Sequence, residues 1–186
     1  MARNIEIKAR IECVAGLVPR VAALAPGTAT EIYQDDTFFT CPNGRLKLRE
    51  FANGTGELIF YRRPGQQGPK ESFYLISPTS APGALRDLLT LAYGQIGRVE
   101  KHRALFVVGR TRVHLDRVKG LGDFLELEVV LQEGESAEAA SAEAHALMER
   151  LGVLTSDLIE GAYLDLFPAD TRRAAHYASQ PSPTGS

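Results

Sequence analysis

The sequence predicts an α+β domain whose strands form an antiparallel eight-stranded closed β-barrel with a polar lumen and helices packed outside. Three observations predict it. Strand-like segments outnumber helical ones eight to three. Short breaks rich in Gly, Pro and Asn separate neighbouring strands, as antiparallel hairpins require. Charged residues occupy alternate positions along several strands, with acids sitting among bases.

The first strand is expected over Asn4–Glu12, with Asn4, Glu6, Lys8 and Arg10 on one face and Ile5, Ile7, Ala9 and Ile11 on the other. A short apolar helix follows over Val14–Leu24. Four strands come next, Glu31–Thr40, Arg45–Phe51, Glu57–Arg63 and Ser72–Ser77. Their breaks fall at Pro42-Asn43-Gly44, Asn53-Gly54 and Pro64-Gly65. Arg45, Lys47 and Arg49 alternate with Leu46 and Leu48, and Tyr61 falls with Arg63. A helix over Pro82–Tyr93 sets Leu85, Leu88, Leu89 and Ala92 at helical spacing. The last strands are Arg98–Val108, Thr111–Val118 and Phe124–Leu131. Lys101 shares a face with Arg103, Arg112 with His114 and Asp116, and Glu126 with Glu128. Ser136–Leu151 forms a third helix, with Ala140, Ala144, Leu147, Met148 and Leu151 in one stripe and Gly152 placed to cap it. Residues 1–167 therefore make the domain. Residues 168–186, rich in Ala, Ser, Pro, Thr and Gly, are expected to form a flexible tail.

Composition narrows the function. The 186 residues carry 21 Lys+Arg against 23 Asp+Glu, so bulk charge favours neither a nucleic-acid coat nor a polybasic membrane anchor. No apolar run reaches the roughly 20 residues of a membrane helix. The opening residues lack the apolar stretch of a signal peptide. Cys13 and Cys41 stand in no ligand spacing and are expected as reduced thiols of a cytoplasmic protein, with a structural disulfide the alternative.

Alternation on one strand means one buried face and one face in water. Here two features point instead to an inverted barrel. The charged faces cluster carboxylates beside cations, with few of the Ser, Thr and Gln of ordinary exposed strands. Three helices are also available to cover apolar faces turned outward, and full closure removes exposed edges. The lumen would then hold Glu6, Asp116, Glu126 and Glu128 with Lys8, Lys47, Arg49, Arg63, Lys101, Arg103 and Arg112, four acids against seven bases. Unpaired buried charge is costly, so the missing counter-charges must come from outside. Clustered carboxylates call for a hard divalent cation, Mg²⁺ or Mn²⁺. Surplus Arg and Lys call for a polyanion, and phosphate suits both.

These residues carry a resemblance. Ile5-Glu6-Ile7-Lys8, Gly44-Arg45-Leu46-Lys47-Leu48-Arg49, Tyr61-x-Arg63-Pro64, Lys101-x-Arg103, His114-Leu115-Asp116 and Phe124-Leu125-Glu126-Leu127-Glu128 come in the order seen in the CYTH family. The resemblance continues through Leu151-Gly152 to Tyr163-Leu164-Asp165-Leu166. These proteins, the triphosphate tunnel metalloenzymes, include class IV adenylyl cyclases, thiamine triphosphatases, inorganic triphosphatases and messenger-RNA-capping triphosphatases. With Asp35-Asp36-Thr37-Phe38-Phe39 ahead of the basic strand, the chain looks most like the bacterial class IV adenylyl cyclase-like branch. The resemblance implies Glu6, Asp116, Glu126 and Glu128 as metal ligands. It implies Lys8, Lys47, Arg49, Arg63, Lys101 and Arg103 as phosphate-binding residues, with Arg112 on the same face. Glu6, Lys8 and Glu128 are the catalytic candidates. The first Glu of the opening Glu-x-Glu-x-Lys motif is Asn4 here, which offers a carbonyl oxygen but no charge.

Three functions stay open at this point. In the first, a triphosphate (tripolyphosphate, ATP or thiamine triphosphate) is hydrolysed to a diphosphate and orthophosphate. In the second, ATP is cyclised to cyclic AMP and pyrophosphate. In the third, the domain only binds polyphosphate or a nucleotide. His114 is read as a neutral imidazole hydrogen-bonded to a lumen carboxylate, or as a proton shuttle or phosphate contact. Tyr61 and Tyr74 are read as wall residues or as contacts to a base or sugar, and His102 as structural. Tyr163 and Asp165 are read as a closing segment packed against the barrel end, with Asp165 as a partner to the site the alternative. Apolar barrel wall left uncovered makes a homodimer plausible.

Overall fold

The computed structural model describes residues 4–62 and 70–168, and side chains there except those of residues 70–73. The strands are β1 (Asn4–Ile11), β2 (Thr30–Phe39), β3 (Arg45–Phe51), β4 (Gly56–Arg62), β5 (Lys70–Thr79), β6 (Gln95–Val108), β7 (Thr111–Val118) and β8 (Gly122–Val130). Every neighbouring pair is antiparallel, and the order β1-β5-β4-β3-β2-β6-β7-β8 closes on itself through β1 and β8. The inverted barrel suggested by the alternation, and the closed eight-stranded form implied by the resemblance, are present.

The helices are α1 (Val14–Ala22), α2 (Pro82–Tyr93), α3 (Ala137–Leu151) and the short α4 (Tyr163–Leu166). Each of the first three begins or ends for a local reason. Cys13 Sγ accepts the Gly16 N–H at 3.3 Å ahead of α1. Pro82 opens α2, where a missing N–H costs nothing. Ser136 caps α3, and Gly152 ends it in the left-handed conformation. No helix among the described residues is long and apolar enough to cross a membrane.

Helices α1 and α3 cover the outward faces of β1, β6, β7 and β8. Val14, Leu17 and Val21 meet Ile7, Val113 and Leu115, while Ala140, Ala144, Leu147, Met148 and Leu151 complete that core. Leu89 of α2 packs with Phe39 and Leu48 on the outside of β2 and β3. These outer cores take the apolar half of each alternating strand, which leaves the charged half facing inward.

A further cluster lies inside the barrel and was not anticipated. Phe38, Ile59, Tyr61, Val99 and Phe124 pack there against Tyr163 and Leu164 of α4. The short helix thus fills one end of the lumen. Gly97 permits this approach, since a Cβ there would run into Leu164 Cδ1. Arg45 of β3 clamps the plug, donating to both Asp165 oxygens at 2.8 and 2.7 Å. Asp165 also accepts the Ala162 N–H at 2.9 Å and so caps α4.

Candidate active site in the barrel lumen

Strand register decides which charges meet. β1 and β8 set Lys8 opposite Glu126 and Glu6 opposite Glu128. β7 and β8 set His114 opposite Glu126 and Arg112 opposite Glu128. β6 and β7 set Arg103 opposite Asp116, and β2 and β3 set Asp36 opposite Arg49. All these side chains belong to the inward set, because register pairs share a face. They surround a cavity of about 320 Å³ whose lining includes Glu6, Lys8, Lys47, Arg49, Lys101, Arg103, Arg112, His114, Glu126 and Glu128. Of the residues singled out from sequence, Arg63 lies outside the described residues, as does the segment after Pro168.

The lumen is organised as ion pairs. Lys8 Nζ lies 2.9 Å from Glu126 Oε2 and 3.7 Å from Glu6 Oε1. Arg103 grips Asp116 with Nε and Nη2, each at 2.6 Å, and reaches Glu126 at 3.4 Å. Lys101 Nζ is 3.7 Å from Asp116. Asp116 is fully buried beneath the lumen surface, and the Tyr163 hydroxyl donates to it at 2.8 Å. Its oxygens are therefore committed to protein donors, unlike those of Glu128, whose contact with Arg112 is 3.4 Å. The Tyr163 ring lies under the Lys8 ammonium at 4.4 Å and the Lys101 ammonium at 5.1 Å.

Asp36 is a lumen residue that sequence reasoning left out of the site. It is 2% exposed and accepts from Lys47 Nζ at 2.7 Å and from Arg49 Nε and Nη2 at 2.7 and 2.8 Å. The available signal was alternation on β2, where Ile32, Gln34, Asp36 and Phe38 share one face. Tyr163 is the second omission; its segment read only as a closing piece. Asp165 contacts Arg45 and the backbone of α4, so the closing segment packs at the barrel end as expected. His102 points outward to Glu31, and Tyr61 and Tyr74 line the cavity.

Burial and neighbouring charge work against each other here. Burial favours the neutral form of Asp36, yet the Arg49 and Lys47 charges hold its carboxyl well below the usual range. Burial pushes the Lys47 ammonium down to about 7, with Arg49 adding to the effect and Asp36 opposing it. Burial and then Arg103 lower Lys101 to about 8. Glu126 is lowered despite burial, because Lys8 and Arg103 stand beside it. Burial, then the Asp116 charge, push the Tyr163 hydroxyl up.

The donor set suits a divalent cation. Glu126, Glu128 and a His114 ring nitrogen lie within 4.8 Å of one another. Asn4 Oδ1 lines the same cavity, buried and without a hydrogen-bond partner among the described residues. Carboxylate oxygens beside an unpartnered carbonyl oxygen fit a hard ion.

Comparison with known proteins agrees with this architecture. Residues 2–163 match the CYTH domain. Adenylate cyclase CyaB of Aeromonas hydrophila is 28% identical over 171 residues, covering 88% of this chain and 87% of its own. The PH1012 protein of Pyrococcus horikoshii superposes with a TM-score of 0.79 at 22% identity, covering 89% of this chain and 99% of that one. HpAC1 of Hippeastrum, a candidate adenylyl cyclase described as having a dominant triphosphatase activity, superposes with a TM-score of 0.62 at 15% identity, covering 98% of each chain. With a closed eight-stranded barrel, a lumen of paired acids and bases, and a match spanning nearly the whole described domain, the chain belongs to the CYTH domain family.

Proposed function

We propose that this protein is a metal-dependent enzyme that binds a triphosphate group in the lumen and hydrolyses it to a diphosphate and orthophosphate. The observation that carries the proposal is the convergence of Lys8, Lys47, Arg49, Lys101, Arg103 and Arg112 on the cavity that also receives Glu126 and Glu128. Arg forks and Lys ammonium groups are suited to phosphate oxygens. Arg63 is included on sequence grounds. Similarity to an adenylate cyclase and to a protein with triphosphatase activity supports an enzyme acting on a triphosphate.

Glu126 and Glu128, with Glu6 and Asn4 alongside, would hold Mg²⁺ or Mn²⁺. Such an ion supplies neutralisation of phosphate oxygens and of charge developing during transfer. Within the chain, the cations fix the triphosphate along the lumen. Glu128 is half-buried and the less committed of the two β8 carboxylates, so it takes the proton from the attacking water. The water oxygen bonds to the terminal phosphorus as the bridging P–O bond breaks. The diphosphate then leaves with its charge held by Lys and Arg. Asp116, enclosed by Arg103, Lys101 and Tyr163, positions Arg103 rather than binding the ion.

A second reading has its own support. Ile32, Ile59, Tyr74, Ile76 and Leu105 line the same cavity and give a base or sugar an apolar surface. ATP held there would cyclise by attack of its 3′-hydroxyl on the α-phosphorus, releasing pyrophosphate. One assay separates the readings. The protein is incubated with tripolyphosphate, ATP and thiamine triphosphate, each with Mg²⁺ or Mn²⁺. Orthophosphate release is the expected result. Cyclic AMP with pyrophosphate establishes the second reading, and thermal stabilisation without product leaves a binding domain. Glu126→Gln should lower turnover by at least the roughly 10–100-fold that loss of an outer metal partner costs. Unchanged turnover and metal dependence would remove Glu126 from the ligand set.

A further inference from the structure

We propose that His114 is a nitrogen ligand in the metal site, and that this mixed donor set selects Mn²⁺ over Mg²⁺. The inference rests on the reading that the lumen takes a divalent cation with its triphosphate. His114 is 4% exposed and inward-facing, directly opposite Glu126 across β7 and β8. Its Nδ1 lies 3.4 Å from Glu126 Oε1, beyond the roughly 2.7–3.2 Å of an ordinary hydrogen bond. The ring is therefore buried in a polar lumen, beside the carboxylate expected from the sequence, with that nitrogen held only by a long contact. The same ring offers a nitrogen within 4.8 Å of oxygens of both Glu126 and Glu128. Small side-chain rotations bring three donors with that spread onto one ion.

A second observation points to the same place. Asn4 is 6% exposed, lines the cavity, and its Oδ1 has no hydrogen-bond partner among the described residues. It shares the inward face of β1 with Glu6, which lies opposite Glu128. A buried carbonyl oxygen left bare beside carboxylates is an acceptor awaiting a cation. The site therefore offers carboxylates, one neutral carbonyl and one imidazole.

That set differs from an all-carboxylate cage in a way that matters for the ion. Mg²⁺ is small and hard, keeps its waters, and gains little from nitrogen. Mn²⁺ shares with Mg²⁺ the preference for the carboxylate and carbonyl oxygens present, yet as the first member of the Mn²⁺-to-Cu²⁺ affinity series it gains more than Mg²⁺ from an added imidazole nitrogen. Asn in place of a carboxylate lowers the electrostatic attraction that Mg²⁺ depends on most. Nitrogen ligation compensates for this with Mn²⁺ and barely does so with Mg²⁺.

The test uses the whole metal-depleted protein with Mn²⁺ alone and reads binding rather than turnover. Pulsed electron paramagnetic resonance of the bound ion should show modulation from a directly coordinated ¹⁴N. His114→Gln should abolish that modulation and weaken Mn²⁺ binding by about 10–100-fold, with a much smaller change for Mg²⁺. The wild-type spectrum needs no variant, so a folding defect in His114→Gln does not shield the proposal. Mn²⁺ that binds and is lost in Glu128→Gln, but shows no ¹⁴N coupling, overturns the His114 assignment and leaves the triphosphatase reading standing. Absence of Mn²⁺ and Mg²⁺ binding, with or without tripolyphosphate, overturns both.

Discussion

Asp36→Asn tests whether the lumen cations are held in place by internal counter-charge. The substitution keeps shape and removes one negative charge between Lys47 Nζ at 2.7 Å and the Arg49 guanidinium at 2.7 and 2.8 Å. Breaking a buried pair from one side costs about 3–5 kcal/mol, because the remaining charge is left unpaired. For a chain of this size each kcal/mol is about 2–4 °C, so melting should fall by roughly 6–20 °C. The loss should depend on pH. Lys47, already pushed down to about 7, can shed its proton, so the deficit is larger at pH 6 than at pH 9. Tripolyphosphate restores negative charge beside the same cations, so it should stabilise the variant more than the wild type. Thermal melts at both pH values, with and without tripolyphosphate, read all three effects. Equal melting temperatures, or equal shifts on adding ligand, would refute the counter-charge argument.

Proton linkage gives a related test. Because Lys47 has a lowered folded-state pKa near 7, the free site is largely neutral at that residue above pH 8, and an incoming polyanion should draw a proton back. Metal-free calorimetry at pH 8 in buffers of different ionisation enthalpy should show proton uptake that is reduced in Lys47→Met, the remainder coming from Lys101, itself lowered to about 8; identical uptake in both would refute it. The same residue contributes instability that is full below about pH 7 and disappears as pH rises towards the unfolded value of 10.5. Tyr163→Phe removes one hydroxyl donor from the buried Asp116 and should cost about 1.5–3 kcal/mol in denaturant melts, as for hydrogen bonds to charged groups. Gly97→Ala places a Cβ against Leu164 and should cost about 1–3 kcal/mol by forcing α4 off the lumen end; unchanged stability would mean that the plug yields freely.

The barrel was legible because its signal is local and repeated. Along the middle of β1, β3, β7 and β8 polar and apolar residues alternate, as in Glu6–Arg10, Arg45–Arg49, Arg112–Asp116 and Leu125–Val129, and the strands follow that pattern to within a residue or two at their ends. What the sequence did not reveal depends on depth and on distant segments. Asp35 and Asp36 are adjacent and chemically identical, yet Asp35 turns out to Arg98 while Asp36 turns in to Lys47 and Arg49. The inward face of β2 mixes Ile32, Gln34 and Phe38 with a single charge, so it lacks the repeated contrast that marked the other strands. Tyr163 reaches Asp116 across 47 positions, and no local pattern announces that contact.

The omission of Asp36 changes the charge argument itself. Among the described lumen residues, Glu6, Asp36, Asp116, Glu126 and Glu128 stand against Lys8, Lys47, Arg49, Lys101, Arg103 and Arg112, five acids to six bases. This described part of the lumen is thus nearly neutral, with Lys47 already disposed to lose its proton. It cannot by itself neutralise the several negative charges of a triphosphate. Binding must therefore be an exchange, in which phosphate oxygens take over Lys and Arg donors from carboxylates. The carboxylates so released then need a cation of their own. On this argument metal and triphosphate bind with positive coupling, each weakly alone and strongly together, and the coupling is reciprocal. Calorimetry should find tripolyphosphate affinity rising with Mn²⁺ by the same factor as Mn²⁺ affinity rises with tripolyphosphate. Independent binding of the two would mean that the lumen keeps its internal pairs and that the ligand sits elsewhere.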